Sequence, residues 1–422
     1  MKNGKSWRNA WPKAPKSNRP FHPVRPRHGG VFAALAVAAC LLLPSALAQI
    51  TPLPRADSTA GDFFGAAVAI HGDRVLVGAT GVDGCGSNSG TAYVYRKVGD
   101  ETWDLEAALQ AEDCEAEAFF GRSVDLGPTY AVVAASREFF SHETPNAVYV
   151  FERSDSTNAW SQVAKLTGGA ARQDGNFATS VSLDGERLLV TTSGDPSSRR
   201  VDGVAYLFER DPATRQWVRR DRLEGSGTLD RGVFGTSGAM DGGVVAVTAS
   251  TYFRNEPGSV FIFETDSSET WSESRFGSID DFFITVDVDE ERVLVGESKA
   301  RRDDSGAATL FRKDSLGAWH VGQELRPEKP YAAGAFGSGV ALDGDYALVV
   351  GFDEQLGLDI NIDRVVFVFK YDASTQRWRQ HHVLDVGEVA FGADVDVHGR
   401  YAVVGSASEQ APGIAYVIRL PE

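Results

Sequence analysis

The stretch Phe64-Gly-Ala-Ala-Val-Ala-Ile-His-Gly-Asp-Arg-Val-Leu-Val-Gly-Ala79, followed by Gly90-Thr-Ala-Tyr-Val-Tyr95, decides the fold. It holds two apolar runs joined at His71-Gly72, then a loop, then an aromatic-rich third run. A Gly-containing turn between apolar runs is a hairpin signal, because Gly accepts the positive φ that a tight turn requires. The runs are short and rich in β-branched and aromatic residues, which suits strands rather than helices.

The same text recurs along the chain. Phe steps stand at Phe64, Phe120, Phe177, Phe234, Phe283, Phe336 and Phe391, with separations of 56, 57, 57, 49, 53 and 55 residues. Tight turns follow at Asp184-Gly185, Asp241-Gly242, Asp343-Gly344 and His398-Gly399. Second runs include Arg187-Leu-Leu-Val190, Arg292-Val-Leu-Val-Gly296 and Tyr401-Ala-Val-Val-Gly405. Third runs include Val148-Tyr-Val-Phe151, Ala205-Tyr-Leu-Phe208 and Val366-Phe-Val-Phe369. A fourth run opens at Trp103, Trp160, Trp217, Trp271, Trp319 and Trp378. Self-similarity on this period marks a repeat architecture. Four strands in each of seven repeats predict an all-β, seven-bladed β-propeller of four-stranded antiparallel blades. Second and third runs are apolar throughout, as expected of strands covered by a neighbouring blade on each side.

Ring closure is legible too. Leu109, Leu166, Leu223 and Leu325 each stand 11 residues before the next Phe step, and so does Leu53. The last repeat has no Trp, and its third run is Ile414-Ala-Tyr-Val417. The segment Ile50–Arg55 is therefore expected to supply the outer strand of the seventh blade and to remove an exposed seam. The fifth repeat is the irregular one, since Asp281-Phe-Phe-Ile284 lacks the Gly.

Phe-Gly, an apolar strand, Val77-Gly78-Ala79 and Gly90-Thr-Ala-Tyr-Val94 resemble the FG-GAP repeat, the unit of the integrin α-chain propeller. The resemblance covers about Ile50 to Leu420 and implies recognition of protein partners through the loop face. The Asp-x-Asp-x-Asp-Gly calcium loops of that family are not found. The connection between first and second strands is too short to wrap an ion with six or more oxygens. In that respect the chain is similar to bacterial exported proteins with the same repeat.

Composition agrees with an exported, acidic, all-β protein. Residues 1–48 hold eight Lys/Arg and no acid, and an apolar run from Val31 ends in Ala46-Leu47-Ala48. This reads as a secretory signal peptide over 1–48, followed by a propeller over 49–422. An uncleaved anchor and a lipoprotein modified at Cys40 are the alternatives. The net charge is −16, and removing eight basic residues leaves 34 against 58 acids, or −24. Such a surface repels nucleic acid and anionic lipid. A soluble monomer with no membrane span after cleavage, secreted or held in the periplasm or envelope, is expected. Cys85 and Cys114 remain after cleavage, and an even count in an exported chain favours a disulfide between them, with two free thiols as the alternative.

No catalytic motif is found: neither Gly-x-Ser-x-Gly nor His-Glu-x-x-His, nor Cys-x-x-Cys, nor a phosphate loop. No cofactor or metal site is expected. His381-His382 reads as a solvated pair, and Asp359-Ile-Asn-Ile-Asp363 as an acidic loop in which Arg364 replaces the Gly a calcium loop needs. The Trp row could stack on sugar but is regular enough to be packing. Phe139-Phe140 and Tyr252-Phe253-Arg254 fall on loops between second and third strands. They are the candidate binding residues, for a protein or a surface glycan, and folding back over the blade edge is the other reading. The function expected is a non-catalytic exported module for adhesion or cell-surface recognition. The alternative is a carbohydrate-active or lectin-like propeller, for which Asp83, Asp195, Asp303 and Asp353 are the nearest loop acids.

Overall fold

The structure is a computed structural model that describes residues 48–422 apart from 55–58, 137–145, 169–175, 195–202, 227–231, 252–257, 266–269, 280–283, 299–304, 330–333, 353–363, 389 and 410. The described residues form seven four-stranded antiparallel sheets. Blade 1 runs through Phe64–His71, Arg74–Ala79, Thr91–Lys97 and Trp103–Leu109. Blade 2 comprises Phe120–Leu126, Tyr130–Ala135, Ala147–Arg153 and Trp160–Thr167. Blade 3 follows with Asn176–Asp184, Arg187–Ser193, Val204–Arg210 and Trp217–Leu223. Gly232–Asp241, Val244–Thr251, Gly258–Thr265 and Trp271–Ile279 make blade 4. In blade 5 the strands are Ile284–Asp289, Arg292–Glu297, Ala307–Lys313 and Trp319–Leu325. Blade 6 has Val340–Asp343, Tyr346–Phe352, Arg364–Asp372 and Arg377–Leu384.

Blade 7 is completed from the other end of the chain. To Phe391–His398, Tyr401–Ser406 and Ile414–Arg419 it adds Gln49–Pro52 as its outer strand. The register sets Ile50 opposite Ile418 and Pro52 opposite Tyr416. The Leu53 amide donates to the Ala415 carbonyl at 2.8 Å, and Leu53 itself is buried. The expected closure is therefore the observed one; Arg55 lies outside the described residues.

The core is divided among the seams. One cluster joins Leu76 and Val94 of blade 1 to Phe120, Val133 and Tyr149 of blade 2, and a like cluster fills each of the seven interfaces, including that of blade 7 with blade 1. That is why second and third strands are buried on both faces. The repeat Trp residues also pack at these seams; Trp103, Trp217, Trp319 and Trp378 are buried, which makes the row structural.

The Phe-Gly step is a bulge that locks one blade to the next. Phe64 pairs with Ala79 but Val68 with Val77, so the first strand carries two extra residues there. The side chain of Phe64 turns edge-on into Tyr93 and Tyr95. Gly121 has φ +100°, and a Cβ on Gly78 of blade 1 would sit 2.0 Å from its carbonyl oxygen. Gly90, which opens the third strand, would meet the Phe120 carbonyl at 2.1 Å. The three glycines of the repeat thus meet at one close backbone crossing, where no side chain fits. In blade 3 the step has Ala178 at φ +64°, a strained position for a residue with a Cβ. The fifth step, at Phe283, lies outside the described residues.

Candidate functional site

Each first strand pairs with its second strand along one edge and leaves its other edge to the central channel. Side chains from the neighbouring first strand cap that free edge. Asp394 and Asp396 of blade 7 accept the Val68 and Ile70 amides of blade 1 at 2.9 and 2.7 Å. Asp125 of blade 2 accepts the Leu183 amide at 2.6 Å, and Asp287 of blade 5 accepts that of Leu342 at 2.6 Å. Between blades 3 and 4 the same task falls to Ser182, whose hydroxyl accepts the Met240 amide at 2.9 Å. Asp394 stands three positions after its Phe step, Asp125, Ser182 and Asp396 five, and Asp287 four after Phe283 in the irregular fifth repeat; Asp394 and Asp396 occupy alternate sites of one strand face.

Burial raises the pKa values of these carboxyls. Asp125 and Asp287 are each pushed up to about 7 by burial, against the opposing pull of two backbone N–H groups. Asp394 is pushed to about 6 for the same reason, and Asp396 is raised well above the carboxylate range by burial and by Asp125 and Asp287. Burial also takes Asp289 to about 6, with Arg292 pulling the other way. At the hairpin end of the channel the rings of His71 and His398 lie 4.5 Å apart, and burial followed by His398 lowers the His71 pKa. Asp125, Asp287, Asp394 and Asp396 each also accept a backbone amide of their own strand or its neighbour, so these groups are engaged in holding the ring. No group of three or more His, Cys, Asp or Glu with metal-binding geometry occurs among the described residues. No motif marks these channel carboxyls in the sequence; the period-two acids Asp394 and Asp396 after Phe391 are the one signal that points to them.

The opposite character belongs to the face from which loops between second and third strands emerge. There Cys85 and Cys114 form a disulfide with Cα atoms 6.2 Å apart, tying the loop of blade 1 to the link into blade 2. Around it the Glu117 amide donates to the Ser87 carbonyl at 2.7 Å and the Phe119 amide to Asn88 at 3.0 Å. Asp83 accepts the Asn88 amide at 2.8 Å and so is a turn residue. The candidate residues Phe139, Phe140, Tyr252, Phe253 and Arg254 lie outside the described residues, as do Asp195, Asp303 and Asp353 to Asp363. His381 and His382 are half-buried rather than solvated, because His381 occupies a bulge in the outer strand of blade 6 and burial lowers its pKa. No described helix is long and apolar enough to cross a membrane.

The FG-GAP repeat profile matches residues 47–95, 103–151 and 160–208. Residues 47–208 carry three FG-GAP repeats, and the seven-bladed propeller as a whole is consistent with that family. Each matched unit starts at an outer strand and ends in the third strand of the next blade, and the first begins at the clasp strand Gln49–Pro52. The FG-GAP unit therefore spans a seam, and the Phe-Gly bulge sits in its middle. No curated protein matches the chain. Among solved structures, the WD40 repeats of RRP9 are similar in fold, with a TM-score of 0.52 and 11% identity over 88% of this chain and 97% of that one.

Proposed function

We propose that this FG-GAP propeller is an exported, non-catalytic binding module that recognises a protein or a surface glycan with its loop face. The observation that carries the reading is the asymmetry of the two faces. Hairpins such as His71–Arg74 are two-residue turns on one face. On the other, segments such as 80–90 and 353–363 join second to third strands, and the disulfide staples that face. Uneven loops on a rigid scaffold are where recognition sits. Export is supported by Gln49, the residue after Ala46-Leu47-Ala48, being the first residue of the clasp strand. Cleavage there leaves the ring intact.

Pull-down from envelope fractions and culture medium, paired with a glycan array, tests this. Replacing Phe139, Phe140, Tyr252 and Phe253 by Ala is expected to abolish capture while leaving the melting temperature within a few degrees. Substitution of the buried Phe120 does the reverse. Retained capture by the loop variant, or hydrolysis of an arrayed glycan, refutes the proposal.

A further inference from the structure

Blades 1 and 5 differ at one equivalent position, and the difference leaves a charged hole. In blade 1, Arg74 and Arg96 stand directly opposite each other on the second and third strands. Like charges so placed repel. Glu106, the bulged residue of the outer strand, neutralises them: its carboxylate lies 3.1 Å from Arg74 Nε and 3.5 Å from Arg96 Nε. It also accepts the indole N–H of Trp160, from the next blade, at 2.8 Å.

Blade 5 repeats the arginine pair, with Arg292 opposite Arg312. The corresponding pairs elsewhere are Tyr130 with Glu152, Arg187 with Glu209, Val244 with Glu264, Tyr346 with Lys370 and Tyr401 with Arg419. Phe311 pairs with Val321 as Tyr95 pairs with Leu105, so the position of Glu106 is taken by Gly322. Among the described residues no carboxylate bridges the two arginines as Glu106 does. Arg292 is held by Asp289 and by the Gly344 carbonyl at 2.7 Å, whereas Arg312 is exposed and has no ionic or hydrogen-bonded partner among the described residues. A cavity of about 650 Å³ opens here, lined by Arg292, Arg312, Gly322, Gln323, Arg377 and Trp378. Gln323 is committed to the Trp378 backbone at 2.7 and 2.9 Å, and Glu324, the one acid that lines the cavity, is paired with Arg326 at 2.7 Å, against three lining arginines. A basic cavity in a chain of net charge −16 calls for an anion.

We propose that this cavity binds the glutamate side chain of an extended acidic peptide, its carboxylate taking the place that Glu106 fills in blade 1. Two features select a peptide. The strand Trp319–Leu325 is the outer strand of its sheet, an edge along which an extended segment can pair. Gly322 presents no side chain to block the approach, and Val321 beside it is 63% exposed. The planar guanidinium fork suits a carboxylate. This site lies at the rim and is independent of the loop-face reading.

Isothermal titration with the capped peptide Ser-Val-Glu-Val-Ser, its Gln counterpart and digalacturonate tests the assignment on the whole propeller. Saturable binding of the Glu peptide is expected, with the Gln peptide weaker by at least about 10-fold, roughly 1.4 kcal/mol. Arg312→Gln is expected to remove the preference for Glu, and Arg96→Gln in blade 1 to leave it. Arg312 is exposed, so the fold survives, as an unchanged melting curve would show. Equal binding of the Glu and Gln peptides, no saturation at millimolar peptide, an unaffected Arg312→Gln variant, or binding of digalacturonate in place of the peptide overturns the proposal.

Discussion

Acidifying the protein from pH 8 to about 5 should stabilise it, contrary to the behaviour of most acidic proteins. Asp125 and Asp287 have folded-state values of about 7, and Asp394 and Asp289 of about 6, against 3.8 when free. A raised value means that the folded state holds protons the unfolded chain has released. The contribution is fully present below about pH 4 and is lost as pH rises through 6 to 7. Each shift of two to three units is worth roughly 3–4 kcal/mol. Four such penalties together would rival the whole stability of a domain, about 5–15 kcal/mol. These aspartates are only half-buried and their carboxylates bind amides, which leaves about two retained protons, a slope of roughly 2.7 kcal/mol per pH unit near pH 6. Over two units that is about 5 kcal/mol, or some 5–7 °C in Tm for a chain of this size. His71 and His381 oppose it, because their lowered values cost stability as pH falls below 6.5. Asp372, held at about 2 by Ser374 and Thr375, contributes stability that is lost only in stronger acid. Melting curves from pH 8 to 4 check the sign, with a maximum expected near pH 5. The double variant Asp125→Ser, Asp287→Ser copies the Ser182 cap of blade 3 and should flatten the slope. A Tm that falls steadily from pH 8, or an unaltered slope in the double variant, would show that the channel carboxyls do not retain protons in the folded state.

The glycine crossing predicts opposite effects of two single-methyl changes. Ala178→Gly relieves a left-handed alanine at φ +64° and should add about 1 kcal/mol, visible as 1–2 °C in Tm. Gly121→Ala, at φ +100° with backbone 3.0 Å from the new methyl, should destabilise by more than that; equal and small effects in the two variants would count against the crossing. Reducing Cys85–Cys114 opens a loop of sequence separation 29 and should cost roughly 3–4 kcal/mol in the chain-entropy model, read by denaturant melts with and without reductant. Two alkylatable thiols in freshly purified, non-reduced protein would dispose of the bridge. Melts in EDTA and in millimolar Ca²⁺ should coincide, since two-residue hairpins such as His71–Arg74 cannot wrap the ion; a shift of more than a few degrees would point to 353–363 instead.

The sequence alone determined the number of blades, the order of strands in each and the closure of the ring. All three follow from local periodicity: turn glycines, β-branched runs and a fixed Leu-to-Phe spacing that Leu53 shares. A one-dimensional repeat carries its architecture in every copy, so a single misread copy does not alter the answer. Chemistry at the seams was not legible, because it depends on which residues of different blades face each other. Asp125 reads as one polar residue in a strand until the Leu183 amide of the next blade is placed on it. Gly322 likewise reads as an ordinary strand glycine. Only the register that sets Arg292 against Arg312 shows that a carboxylate is missing there. Tertiary structure decided those points because burial and charge pairing are properties of neighbours in space, and the ring brings together residues more than 300 positions apart, as with Val68 and Asp394.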